Sequence, residues 1–388
     1  MYFTAFILKN LTRRPIRTAL TVLGLAVTVG SMIALLAVSY NVEKSVESAF
    51  DTRRVDLVVL QANKPLGLDS DFHEYMVDQV RAMPEVDRVS EGVVGTVNTV
   101  RKSGSINENM FLVQGWKPDN FGFEDMQILS GRMLEAGDTH KVMLGQKRAD
   151  GMEKKVGDTI VFDPDRDHPY EVIGIYKSPV VFEDGGAIVS FTDGQALTGK
   201  HVTGFSIRVK RGSPDGKEEI AAVQKKVEEL RDPKDKTARL EAQPPEKYVQ
   251  SVSQLKLIRA VSWLVSAIAF AVGTITMLNT MAMSVLERTQ EIGILRAVGW
   301  PRFRVIRMIM GEAVVLAGAA TLAGVVIAFA GMQSLTLSPK VNGFIEPDLS
   351  LAVVLRGGAI TMLIGLIGGA YPAYRAARLL PTEALRHD

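Results

Sequence analysis

The chain has 388 residues, a net charge of only +2 and 47% hydrophobic residues. Its mean hydropathy of +0.12 is high for a chain with 23% charged residues, which signals apolar spans joined to an ordinary soluble domain. The small net charge argues against a nucleic-acid partner, and the absence of cysteine excludes disulfides, thiolate metal sites and cysteine nucleophiles.

Residues 1–17 form a basic cytoplasmic or interfacial segment with Lys9, Arg13, Arg14 and Arg17. Residues 18–42 carry no charge. A bilayer core needs roughly 20 apolar residues in helical form, so this run is expected to be transmembrane helix 1. It is too long for the apolar part of a cleaved signal peptide. Residues 43–50 are expected to continue the helix outward.

An extracytoplasmic α/β domain is expected over 43–256. Residues 55–60, 93–100, 111–114 and 141–144 read as strands. Residues 71–83 read as a helix, because Phe72, Met76, Val80 and Met83 recur at helical spacing and Pro84 ends it. Residues 158–162 and 170–176 read as a hairpin around the polar turn DPDRDHP. Residues 204–210 alternate as a strand, and 217–231 form an amphipathic helix. The polar, Pro-rich stretch 232–246 reads as a connection returning to the membrane. Transmembrane helix 2 is expected over 257–286, a cytoplasmic coupling loop over 287–308, helix 3 over 309–337, a short outer loop over 338–348, helix 4 over 349–374 and a cytoplasmic tail over 375–388.

Arginine clusters set the orientation. Arg288, Arg296, Arg302, Arg304 and Arg307 lie between helices 2 and 3, and Arg375, Arg378 and Arg386 follow helix 4. Both termini and the 287–308 loop are therefore expected on the cytoplasmic side of a cell (inner) membrane, with the large domain periplasmic or extracellular. Small residues at helical spacing, Ala320, Gly324 and Ala328 on helix 3 and Gly365 and Gly369 on helix 4, offer faces for close helix packing within or between protomers. Glu312 and Arg356 are charges near span ends, either functional or snorkelling to the interface.

Motifs that carry chemistry are imperfect here. Gly194 to Lys200 match G-x-x-x-x-G-K, but His201 stands where a phosphate loop needs Ser or Thr for Mg²⁺. Asp163, Asp165 and Asp167 imitate the start of a calcium loop, but His168 occupies the required glycine and Gly174 the final Glu. None of the five histidines has a second at i+3 or i+4, so no metal site and no catalytic residue is expected. The 287–298 segment is an expected cytoplasmic helix with an apolar edge, tucked against the membrane or docked on a partner.

ERTQEIGILRAVG at 287–299 resembles the signature of the FtsX-like permease domain found in MacB-type and LolC/LolE-type (type VII, mechanotransmission) ABC transporters. LKNLTRRPIRTALTVLGLAVTVG at 8–30, VMLGQKRADGMEKKVGDTI at 142–160 and YPAYRAARLLPTEALRHD at 371–388 are similar to other segments of that family. The resemblance implies a non-catalytic permease subunit whose coupling helix docks on a separate cytoplasmic ABC ATPase, the subunit that would bind ATP and Mg²⁺. It implies Glu287, Arg288, Glu291, Ile292, Leu295, Arg296 and Gly299 at that contact. It also implies a second permease subunit, identical or homologous, membrane lipids around the spans, and a periplasmic adaptor as a further candidate partner. The expected role is export or membrane extraction of a lipoprotein, lipid, peptide or toxic compound. The alternative is a signalling subunit of FtsX type that activates an outside partner without transport.

Overall fold

The computed structural model describes residues 15–64, 69–100, 106–212, 216–231, 239–251, 253–336 and 348–379. In chain order, helix α1 (Pro15–Thr52) leads to β1 (Leu57–Gln61), α2 (Glu74–Arg81), β2 (Val86–Val100), β3 (Ile106–Trp116) and β4 (Gln127–Gly131). Then come β5 (Lys141–Gly145), α3 (Gln146–Met152), β6 (Thr159–Phe162), β7 (Asp165–Lys177), the single turn α4 (Val181–Asp184), β8 (Ala187–Ser190) and α5 (Phe191–Thr198). The outer domain closes with β9 (Gly204–Val209), α6 (Lys217–Glu229), β10 (Leu240–Gln243) and α7 (Pro245–Ser251). Helices α8 (Ser253–Glu287), α9 (Thr289–Ala297), α10 (Arg302–Thr336) and α11 (Leu351–Ala377) complete the chain. Most of the expected segment 1–17, nearly all of the outer loop 338–348 and the tail beyond 379 lie outside the described residues.

Helices α1, α8, α10 and α11 are each long and apolar enough to cross a membrane, the last reaching that length only by including Arg356. At 1.5 Å per residue the 38 residues of α1 extend roughly 57 Å, almost twice a hydrocarbon core. Helix α10 begins at Arg302 rather than near 309, because Pro301 starts a helix at no hydrogen-bond cost. Helix α11 runs to Ala377 through Pro372, a break tolerated where neighbouring helices bury the site.

The chain divides into two compact units. The first holds residues 1–40, 259–334 and 347–388. Its core joins Leu25, Met277, Met281, Ile309, Ala313, Ala317 and Ile364. The second holds residues 41–258 and 335–346. Among its described residues one mixed sheet runs β10-β1-β9-β2-β3-β8-β5-β7-β4, with β6 pairing β2 and β7. The β3–β8 and β5–β7 pairs are parallel. The sheet carries two apolar cores: Val59, Met76, Val80, Phe205, Val223 and Val227 where α2 and α6 pack, and Val142, Leu144, Tyr170, Val189 and Leu197 where α3 and α5 pack.

Three short strands were not legible in the sequence. The segment 232–246, expected as a polar connection, contains β10, which among the described residues pairs only with β1 and buries Leu240 and Ala242. Strands β4 and β8 show no alternation either, β4 being mostly exposed and β8 buried over three consecutive residues.

Candidate coupling sites

The 287–299 segment folds as α9 followed by a sharp stop. Glu291 lies in the first turn and Arg296 in the last, both favourable to the helix dipole. Gly299 has φ +97°, with its N–H donating to Arg296 O at 3.1 Å and the Trp300 N–H to Leu295 O at 3.0 Å. This is a Schellman cap, for which the left-handed glycine is the enabling residue.

The structure separates the proposed contact residues. Glu287, Glu291 and Gly299 are exposed, and Leu295 is half-buried. Ile292 is turned inward at 2% exposure and packs in the first unit's core, so it anchors α9 and is not available to a partner; this corrects the expectation. Arg288 is held by an Nη1 donation to Glu312 Oε1 at 2.8 Å. Glu312 itself is buried, so it is a structural partner rather than a snorkelling end charge, whereas Arg356 is exposed. Arg296 donates from Nη1 to Trp300 O at 2.9 Å and so braces the turn. The residues that present apolar surface are Ile294 at 51% and Val298 at 77% exposure, neighboured in sequence by exposed Phe303. Sequence reasoning chose Ile292 and Leu295 because a helical edge looks the same from either side; only the packing of α9 tells inside from outside.

The small-residue faces lie within the bundle. A Cβ on Gly324 would stand 3.1 Å from Ala26 O, and one on Gly30 would stand 2.8 Å from Gly324 O, so α10 and α1 touch backbone to backbone there. Gly365 and Gly369 meet Ala313 and Ala317 of α10, while Ala320 and Ala328 are buried.

A second site, in the outer domain, was invisible in the sequence. It closes the end of α1. The Arg54 N–H donates to Asp51 O at 3.1 Å and the Val55 N–H to Phe50 O at 3.0 Å, another Schellman pattern, with Arg54 at φ +49°. Arg53, 8% exposed, points into the domain. Its Nη1 and Nη2 donate to Glu183 Oε1 and Oε2, both at 2.8 Å, and its Nε donates to Asp125 Oδ1 at 3.0 Å. Ser178 Oγ donates to Glu183 Oε2 at 2.5 Å, and Tyr176 OH donates to Glu183 O at 2.7 Å. Arg208 Nε caps Arg53 O at 2.8 Å. Burial opposes the Arg53 charge, but the Glu183 and Asp125 carboxylates outweigh it and raise its pKa further, so the guanidinium stays charged. Burial pushes the Asp125 carboxyl up against the pull of Arg53, and its Oδ2 has no hydrogen-bond partner among the described residues. Burial drives the Tyr176 phenol well above its ordinary range, so it serves as a neutral donor. The residues of this joint are separated by up to 155 positions, a pairing no local pattern encodes.

Beside the joint lies a cavity of about 360 Å³, walled by Phe50, Trp116, Phe121, Phe182 and Tyr248. Gln114 lines it, and its buried Nε2 has no hydrogen-bond partner among the described residues. The Gly194–Gly199 motif is helix α5 with Gly199 as its left-handed cap, which removes any phosphate loop there. Asp163 of the calcium look-alike accepts from Arg166 Nε at 2.8 Å.

Comparison with known proteins agrees with this architecture. Residues 18–230 match the family model of the MacB-like periplasmic core domain, and 263–381 match the FtsX-like permease C-terminal domain. The chain belongs to this family and is an ABC transporter permease of MacB/FtsX-like type. It is 27% identical over 403 residues to the uncharacterized ABC transporter permease MJ1507 of Methanocaldococcus jannaschii, covering 99% of this chain and 97% of that one. It is 25% identical to the uncharacterized ABC transporter permease YknZ of Bacillus subtilis, covering 98% of each. It is 27% identical to the macrolide export ATP-binding/permease protein MacB of Agrobacterium fabrum, covering 96% of this chain but 58% of that protein's length. The solved extracellular domain of YknZ from Gram-positive bacteria aligns with a TM-score of 0.37 at 16% identity, covering 49% of this chain and 98% of that one.

Proposed function

We propose that this chain is the transmembrane subunit of a mechanically coupled ABC transporter, with ATP hydrolysed by a separate cytoplasmic ATPase. The observation that carries the reading is α9. It is a nine-residue helix between the second and third spans, anchored by Ile292 and the Arg288–Glu312 pair, with Glu291, Ile294 and Val298 facing outward. A short helix with an apolar edge left exposed among the described residues and a rigid stop suits docking into a groove on another protein. The arginines flanking the spans support cytoplasmic termini in the cell (inner) membrane and an extracytoplasmic outer domain.

In this reading ATP-driven closure of two ATPases displaces α9 and the helices that flank it. Helix α1 is continuous to Thr52 and ends in the buried Arg53 joint, so a displacement of the helix would reach the outer domain with little lost in a flexible linker. Four spans are few for a transport path, so the working unit is taken as two permease subunits with two ATPases. Substrate, whether lipoprotein, lipid, peptide or toxic compound, would be moved outside the membrane by the outer domain, alone or with a periplasmic adaptor.

The test is affinity purification of the tagged chain from its native membrane in mild detergent, with Glu291→Lys and Val298→Asp variants alongside. Recovery of an ATPase subunit with the wild type and its loss from both variants is the expected result. An equally dimeric preparation that never carries an ATPase would remove the coupling reading.

A further inference from the structure

The fold brings together two histidines and an aspartate that the sequence holds 28 residues apart at their extremes (His140 to His168). His140 sits immediately before β5, Asp165 opens β7, and His168 lies three residues further along β7, where the pairing with β6 shifts register. The potential ligand atoms of all three lie within 4.8 Å of one another. His168 Nδ1 is 2.7 Å from Asp165 Oδ1, and His140 Nε2 is 3.7 Å from Asp165 Oδ2. The two imidazoles stack with centroids 4.7 Å apart and planes 24° apart.

The spacing suits a cation. Ligand atoms sharing a tetrahedral ion at about 2.0–2.2 Å stand roughly 3.3–3.6 Å from each other. The two separations, which run to different oxygens of the Asp165 carboxylate, bracket that range, and rotation of these partly exposed side chains would bring one atom of each to a shared ion. Two imidazoles and one carboxylate are a borderline-soft donor set, suited to zinc and its neighbours and unsuited to calcium or magnesium.

The surroundings are built to hold His140 in place. Its backbone is left-handed, φ +51°, which is uncommon for a residue with a Cβ and is found where surrounding structure fixes it. Buried Asp193 accepts the His140 N–H at 2.9 Å, and the His140 carbonyl accepts from the Glu171 N–H at 3.0 Å. Tyr170 OH donates to Asp165 Oδ2 at 3.3 Å, and its ring meets His140 edge to face at 5.3 Å. That outer hydrogen bond orients the carboxylate, as partners of metal ligands do. The geometry points to a binding site for a divalent transition-metal ion of the zinc class on the outer domain, held by His140, Asp165 and His168. Bound there, the ion ties the β6–β7 hairpin tip to the entry of β5. A second pair, His73 and His201, has centroids 4.4 Å apart but gains no comparable third ligand among the described residues.

The test uses the full chain in detergent, carrying a tag without histidines and stripped with EDTA. Zn²⁺ is titrated calorimetrically, and Cu²⁺ loading is read by electron paramagnetic resonance. The expected results are one ion per chain and a copper spectrum split by two nitrogens. His168→Ala and His140→Asn should weaken Zn²⁺ binding by more than about tenfold, while His201→Ala leaves it unchanged. Asparagine is chosen because it tolerates the left-handed backbone. Zn²⁺ should raise the melting temperature of the wild type and not of His168→Ala, since an ion that binds only the folded state stabilises it. No stoichiometric binding, or binding that survives both ligand variants, overturns the assignment. A circular-dichroism spectrum and metal-free melting temperature equal to wild type confirm that each variant is folded.

Discussion

Two helix ends in this molecule are closed by the same hydrogen-bond pattern and serve opposite purposes. At the end of α9 the left-handed position is Gly299, a Cβ there would meet nothing within 4 Å, and Ile294 and Val298 stand exposed nearby. At the end of α1 the same position is Arg54, and the residue before it, Arg53, is buried in a bidentate pair with Glu183. The first end is exposed, the second is locked. Capping geometry therefore fixes where a helix stops, while the side chains around the cap decide whether the stop is a surface or a joint.

The largest effect should come from unlocking the joint. Arg53→Met leaves the Glu183 carboxylate buried without its cation, and breaking a buried pair in this way costs about 3–5 kcal/mol. Denaturant unfolding of the full chain in detergent, followed by outer-domain tryptophan fluorescence, should show that loss. The double variant Arg53→Met/Glu183→Met should regain much of it, because the orphaned charge is gone. A single variant within about 1 kcal/mol of wild type would mean the pair does not hold the helix end.

Next in size is the contrast between neighbouring isoleucines on α9. Ile292→Ala empties a site in the first unit's core and should destabilise it by about 2–4 kcal/mol. Ile294→Ala removes exposed surface and should shift stability by less than about 0.5 kcal/mol while weakening capture of the ATPase. Thermal scans and pull-downs on the same preparations check both. If the two variants behave alike, α9 does not have the inward and outward faces described.

These contrasts also mark how far sequence could be read. The four spans were legible because a bilayer imposes a length and a near-absence of charge over whole segments, broken here only near span ends by Glu312 and Arg356. Helix α6 was legible because Val223 and Val227 repeat at helical spacing. The motif at 287–299 located α9. Which face of α9 points outward was not legible, because the edge of Ile292 and Leu295 and the edge of Ile294 and Val298 are equally apolar. The joint and the metal trio were hidden for a different reason. Arg53 meets Glu183, and His140 meets His168, only through strand pairings such as β5 with β7, which are set by tertiary packing rather than by any local period. The histidine spacing rule does not register this trio, because it presumes that both ligands lie on one helix.

The two caps can be compared directly by exchanging their demands. Gly299→Ala places a Cβ in open space, so its cost is purely that of a left-handed L-residue, about 1 kcal/mol. Arg54→Gly should relieve a similar penalty and raise outer-domain stability by up to about 1 kcal/mol, less the extra chain entropy of glycine when unfolded. Opposite signs in denaturant midpoints are expected. Equal signs would show that Arg54 is held by contacts worth more than its strain.

The smallest expected effect separates two adjacent carboxyls at the joint. The Arg208 hydrogen bond holds Glu124 below its ordinary value of 4.5, so its stabilising contribution is complete above that value and disappears as pH falls through the lower folded one. Burial raises Asp125 above its ordinary value of 3.8, so the folded state takes up its proton first and gains stability as pH falls through that raised range. The two trends oppose each other. Asp125→Asn removes the gain, so it should lose more melting temperature than wild type between neutral pH and about pH 4. Glu124→Gln removes the loss, which lies below its ordinary value of 4.5, and should fall less as the scan continues below about pH 4. The difference will be modest, because Glu124 is partly exposed and screened, with a side-chain exposure of 40%. Parallel curves for all three proteins would place both carboxyls outside the folding linkage and leave Glu183 alone as the anion that holds Arg53.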